Sequence, residues 1–311
     1  RTNNGHPVKD GRKIAFYAAT IAAFALTGIY LVSKSGSGSD ISGGDAATST
    51  SSDHLSPKTA LNQLSAISGG SGIRSSSGGG SKNKEELDEK DVNPLSITQG
   101  SATYGGNDLP YFHCGPLPSA DNPELTELVL LHGAAFTKED WKKSGILDML
   151  CDINNEEDEG NLSISALDLP VSADGKQLGM AFDALVSDRV LSGRAATFVS
   201  PSASGKALVS LGEMASNGSK ELERIVKAWI PVAPPAVLRA ADTTLVQYKL
   251  KSIPIMSIHG DQDGGGKRVT EKLQKLNDAE GIELGGRHPV YLDSPEEFVQ
   301  EVMRFLDENG L

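Results

Sequence analysis

The sequence predicts an α/β fold, a mostly parallel central sheet with helices on both faces. Three observations carry that prediction. From about Pro94 onward, short apolar, β-prone runs alternate with helical runs. One such run, Ala195–Val199, stops at a knot of small residues, Ser200-Pro201-Ser202-Ala203-Ser204-Gly205, and a helix-forming run follows from Lys206 to Met214. Two later strands end in polar loops, His259-Gly260-Asp261-Gln262-Asp263-Gly264 and Gly285-Gly286-Arg287-His288-Pro289. Strands that are apolar along their whole length are covered on both faces, which marks a parallel rather than a one-sided antiparallel sheet.

The chain has 311 residues and a net charge of −12. Ile14–Val32 (IAFYAATIAAFALTGIYLV) is uncharged and about as long as a helix that spans a bilayer. Lys9, Arg12 and Lys13 precede it and Lys34 follows. The positive excess on the N-terminal side predicts a type II signal anchor, with residues 1–13 cytosolic and the remainder lumenal or extracellular. Secretion after cleavage of a signal peptide is the alternative. Residues 33–93 are rich in Ser and Gly, too poor in apolar surface to offset their ordering entropy, and read as a disordered tether. Residues 94–311 form the globular domain.

Within that domain Leu95–Tyr104 and Leu109–Cys114 read as two strands joined around Gly105-Gly106-Asn107. Leu125–Leu131 is a strand running into His132-Gly133, and Thr137–Cys151 a helix with Trp141, Ile146, Leu147 and Leu150 as its apolar members. Strand Leu162–Leu169, helix Met180–Val190, strand Ala195–Val199 and the helix to Met214 follow. Next come helix Leu222–Val226, strands Ala228–Ala233 and Ile253–Ile258, helix Val269–Leu276 and strand Ile282–Leu284. The last helix is signalled by Ser294 as cap, Pro295 in the first turn and Glu297 completing a capping box, with Phe298, Val302 and Phe305 on one face.

A strand, a turn too tight for large side chains and a helix together hold a serine hydroxyl proud of a sheet. The usual form is G-x-S-x-G; here both flanks are serine. Centring on Ser202 leaves Ser200 and Ser204 at the crowded flanks, whereas centring on Ser204 would put the long side chain of Lys206 there. Ser202 is therefore the expected nucleophile. A phosphate loop, G-x-x-x-x-G-K-[ST], fits poorly, because Ala207 stands where a hydroxyl must hold magnesium. A serine needs a base, and the base an orienting carboxylate, which this architecture supplies in the order acid, then histidine. Asp263 and His288 meet that order, each just past a strand. Asp261 is the rival acid; its alternative role is to hydrogen-bond backbone in the turn. A calcium loop lacks its further ligands. His6 and His54 lie in the tail, and His113 and His259 sit on or beside strands as packed or surface residues. The two oxyanion N–H donors are expected from Ala203 and Ala134.

The segments LVLLHGAAFTKEDW, ATFVSPSASGKALVSL, WIPVAPPAV, IPIMSIHGDQD and GGRHPVYLDSPEEFVQEVMRFL resemble the α/β-hydrolase superfamily. More closely, they are similar to the α/β-hydrolase domain-containing protein 14 group, which shares the S-P-S-x-S-G elbow. The resemblance spans Leu125 to the C-terminus. It implies Ser202 as nucleophile, Asp263 as acid, His288 as base, and Ala134 with Ala203 as oxyanion donors. One form in the group carries an N-terminal anchor, in keeping with Ile14–Val32. The chain departs from the group after Asp168-Leu169-Pro170, where Val171-Ser172-Ala173-Asp174-Gly175-Lys176 replaces a longer glycine-rich excursion and shortens one wall of the pocket. Arg287, where relatives often carry a small residue, either meets an acidic group on the substrate or faces solvent.

Residues 95–311 carry 19 Lys+Arg against 32 Asp+Glu, a net −13. That acidic domain offers nucleic acid no basic face. Cys114 and Cys151, the only cysteines, have no metal-ligand spacing; one disulfide is conceivable in an oxidising compartment, and two buried free thiols are the favoured reading. No cofactor is expected. Only about twenty residues separate Ala233 from Ile253, too few for a lid domain, so the site is expected to be open and to take a small acyl-bearing substrate. The sequence leaves three roles open: a hydrolase of small acyl esters or amides, an acyltransferase with the same triad, or a catalytically silent interaction module. Asn161-Leu162-Ser163 and Asn217-Gly218-Ser219 match the N-glycosylation pattern, the second in a surface position.

Overall fold

The computed structural model describes residues 96–119, 122, 124–156 and 161–311. The expected anchor Ile14–Val32 and tether 33–93 lie outside the described residues. No helix among the described residues is long and apolar enough to cross a membrane.

Eight strands form one sheet: β1 Thr98–Tyr104, β2 Asn107–Cys114, β3 Thr126–Leu130, β4 Leu162–Leu167, β5 Ala196–Pro201, β6 Val226–Val232, β7 Met256–Gly260 and β8 Glu280–Leu284. Their spatial order is β1-β2-β4-β3-β5-β6-β7-β8. The β1–β2 and β2–β4 pairs are antiparallel and every later pair is parallel. This is the mostly parallel α/β-hydrolase sheet that the sequence predicts. The β1–β2 turn carries Gly105 and Gly106 at φ +55° and +82°, the left-handed pair a tight hairpin needs.

Side chains alternate between two cores with the two-residue period of a strand. On β3, Leu128 and Leu130 join one core and Val129 the other. The first core lies under α3 (Gly175–Ser187), α4 (Gly205–Ser216), α7 (Asp242–Leu250) and α8 (Gly264–Asn277). The second lies under α1 (Lys138–Lys143), α2 (Ile146–Glu156) and α10 (Pro295–Asn309). There Trp141 is fully buried against Tyr291 and Phe298, ring centroids 4.7 and 6.1 Å away, and donates its indole N–H to the Leu131 carbonyl. Short helices α5 (Glu221–Ile225), α6 (Pro235–Arg239) and α9 (Val290–Asp293), with a 3-10 turn at Ser202–Ser204, complete the described elements.

The structure corrects several expectations. Thr137–Cys151 is two helices rather than one, because Gly145 at φ +80° ends the first turn-and-a-half after Ser144. The predicted capping box at Ser294 is absent: its hydroxyl donates to the Gly285 carbonyl and α10 starts without a side-chain cap. Helix α3 begins before Met180, where Asp174 and Gln177 form a capping box that the sequence reading passed over. Finally, Cys114 at the end of β2 and Cys151 in α2 are a disulfide, not two free thiols. Thirty-seven residues separate them in sequence. Changing both to alanine is expected to lower stability by about 3 kcal/mol in denaturant unfolding, because the unfolded chain regains the entropy of that loop.

Candidate active site

The local fold explains the unusual elbow. Ser202 sits between β5 and α4 at φ +50°, a left-handed conformation that costs a non-glycine residue energy and holds its side chain clear of the sheet. Each flanking serine has a partner. Ser200 is fully buried and accepts a 2.7 Å hydrogen bond from the indole N–H of Trp229 on β6; that ring stacks on Tyr248, whose hydroxyl reaches the Leu208 carbonyl. Ser204 is buried and donates to the Pro201 carbonyl at 2.9 Å. The hydroxyl that consensus glycines would lack is used here to lock the turn. The tight approach falls one residue later, on Gly205, where a Cβ would overlap the Pro234 ring. Lys206 points outward and donates to the Ser172 carbonyl, pinning the loop after Pro170 to the elbow helix.

The structure brings the three separated residues into one line. His288 Nε2 lies 2.8 Å from Ser202 Oγ, and its Nδ1 lies 2.6 Å from Asp263 Oδ2. Asp263 caps α8, and its other oxygen accepts from the Gly265 and Gly266 N–H groups at 3.0 and 2.9 Å. Burial opposes ionisation of this carboxyl, but the bonds from Gly266, His288 and Gly265 outweigh it and hold its pKa below the ordinary value. With Asp263 ionised, Nδ1 carries the imidazole proton and Nε2 is left to accept the Ser202 hydroxyl. A carboxyl with a depressed folded pKa contributes stability that is present above its unfolded value and lost as pH falls through the folded one. Asp263→Asn is therefore expected to destabilise the protein at neutral pH, with the gap to wild type closing on acidification towards pH ~3. Parallel urea melts at the two pH values read this out.

Asp261 takes the alternative role. Its carboxylate accepts from the Gly286 N–H at 2.8 Å, tying the β7 loop to the loop that carries His288. Beneath it, Gly260 abuts the Gly286 and Arg287 carbonyls so closely that no Cβ would fit. Arg287 is exposed and forms a bidentate pair with Asp293, whose pKa falls to about 2 through that guanidinium. His259 is buried against Thr270 and Glu283, and His113 is buried beside Ser165, its pKa lowered by burial.

The turn after β3 lies against the elbow: a Cβ on Gly133 would sit 3.7 Å from that of Ser202. The backbone N–H of Ala134, in this turn, has no backbone acceptor among the described residues. The turn is held from outside by Asp168, which the sequence reading used only as a motif member. Its carboxylate accepts the Lys138 N–H at 2.6 Å and lies 3.6 Å from the buried Lys138 ammonium and 3.8 Å from His132 Nε2. Asp168, Trp229, Gly205 and Gly260 support the site; only Gly205, the last residue of the elbow motif, is marked locally in the sequence. Ser202 is partly exposed and His288 45% exposed at its side chain, so the site is open to solvent.

No family model matches the chain. The human protein "Putative protein-lysine deacylase ABHD14B" is 28% identical over 222 residues, covering 68% of this chain and 97% of its own. Its Pongo abelii counterpart is 30% identical over 190 residues, 58% of this chain and 82% of that protein. The chain belongs to the ABHD14 family. Another relative, Protein ABHD14A of Danio rerio, is 29% identical over 207 residues, 62% of this chain and 69% of its own. Among solved structures, the carboxylesterase Cest-2923 of Lactobacillus plantarum is 13% identical with a TM-score of 0.48, covering 69% of this chain and 98% of its own. The sequence-level likeness to the ABHD14 group is thus met by curated relatives over most of their length.

Proposed function

We propose that this ABHD14-family chain is a serine hydrolase that cleaves small acyl esters or amides through an acyl-enzyme on Ser202. The observation that carries the reading is the unbroken hydrogen-bonded line Ser202–His288–Asp263 behind a serine held at positive φ. Ser202 Oγ attacks the acyl carbonyl carbon while His288 Nε2 takes its proton. Asp263 keeps the imidazole in the right tautomer and balances the imidazolium. The oxyanion is met by the N–H groups of Ala134 and Ala203. His288 then gives its proton to the leaving alcohol or amine, and the C–O or C–N bond breaks. Water, deprotonated by His288, attacks the acyl-serine; the acyl C–Oγ bond then breaks, His288 returns the proton to Ser202 Oγ, and the carboxylic acid leaves.

The name of the mammalian relatives, protein-lysine deacylase, makes an acylated lysine the amide substrate to try first. An open site also admits an acceptor other than water, the acyltransferase variant of the same chemistry. The test is acetate release from p-nitrophenyl acetate and from an acetyl-lysine peptide, with and without an added thiol. Release from either in water supports the hydrolase. A rate that rises with thiol concentration and yields thioester moves the chain to the acyltransferase reading. A folded protein inert on both substrates under all conditions would leave the silent module.

We also propose a type II anchor at Ile14–Val32 with residues 94–311 as the lumenal domain. Burial of both cysteines in one disulfide supports an oxidising compartment for that domain.

A further inference from the structure

We propose that Asn217 carries an N-linked oligosaccharide, an inference that rests on the lumenal placement above. The sequence holds two N-x-S triplets in the described region, and the fold treats them differently. In Asn161-Leu162-Ser163 the third residue lies inside β4 and is fully buried, so its hydroxyl is out of reach in the folded chain. Asn217-Gly218-Ser219 forms the exposed end of α4. Asn217 makes one side-chain hydrogen bond, donating to the Glu213 carbonyl one turn back at 3.0 Å. Gly218 stands at φ +88° with nothing within 4 Å of a Cβ built on it. The Ser219 hydroxyl, accepting from the Glu221 N–H, is only half-buried. A bulky, solvated group therefore meets no steric obstacle here.

The position also spares the chemistry. Helix α4 starts beside Ser202 and runs twelve residues, Gly205–Ser216, so Asn217 lies about 18 Å further along at the opposite end. The reaction needs a lipid-pyrophosphate-linked oligosaccharide as donor. The Asn217 amide nitrogen forms a bond to the anomeric carbon, the bond from that carbon to the pyrophosphate oxygen breaks, the lipid pyrophosphate leaves, and the amide proton passes to the transferase.

The test expresses the full chain in cultured animal cells and treats it with peptide N-glycosidase. A downward mobility shift is expected for wild type, absent in Asn217→Gln and Ser219→Ala, and unchanged in Asn161→Gln, with ester turnover within twofold throughout. A shift lost only in Asn161→Gln overturns the assignment. Thiol alkylation of the denatured but unreduced protein, in which both cysteines are accessible unless paired, separates the two ways a missing shift arises. Blocked cysteines with no shift overturn the glycan alone, and two reactive cysteines with no shift overturn the lumenal placement and the glycan together.

Discussion

Ser202→Ala is expected to cut ester turnover by about 10⁴-fold or more while leaving the fold intact, since a nucleophile acts with its base as one unit. The side chain is small, half-exposed and bonded only to His288 among the described residues, so its loss opens no cavity. Alanine at φ +50° is no less strained than serine, and melting should move little. Ser204→Ala is the matched control. It removes one buried hydrogen bond to Pro201, worth about 1 kcal/mol, and should leave the rate within several-fold. A Ser202→Ala protein that keeps a tenth of the rate would place the chemistry elsewhere.

Gly260→Ala is expected to have the second largest effect. The added methyl would enter space held by two backbone carbonyls, Gly286 and Arg287, which cannot swing away as a side-chain end could. Either β7 or the His288 loop must move, and Asp261, bonded to Gly286, would move with them. The expected cost is about 2–3 kcal/mol of stability, as for overpacked cores. Turnover should fall about 10²-fold, since a displacement of roughly 1 Å at a reacting group carries that penalty. Gly264→Ala, where nothing lies within 4 Å of a Cβ, should be nearly neutral on both measures.

Much of this site was legible in the sequence because its logic is local. A strand running into small residues and then a helix is an elbow wherever it occurs, and acids and a histidine past later strand ends complete it. The supporting contacts were not legible, because they join distant segments. Nothing near Ser200 announces Trp229, and no spacing tells that β2 and α2 will set Cys114 beside Cys151. Helix α8 starts five residues before the predicted Val269 because Gly264-Gly265-Gly266 reads as loop; Asp263 accepts the N–H groups of Gly265 and Gly266 and offsets the glycine cost. Helix α6 was missed because its five residues are too few to show a helical period, and α7 because its apolar residues do not share one face: Leu245 and Tyr248 are buried while Leu250 is exposed.

The most direct test of the central claim is the residue to which a fluorophosphonate attaches. The folded wild-type protein should react and, after proteolysis and mass spectrometry, carry the phosphonyl group on Ser202, with labelling slowed in His288→Ala. An adduct on Ser204 or on any other serine, or a folded protein that does not react, would contradict it.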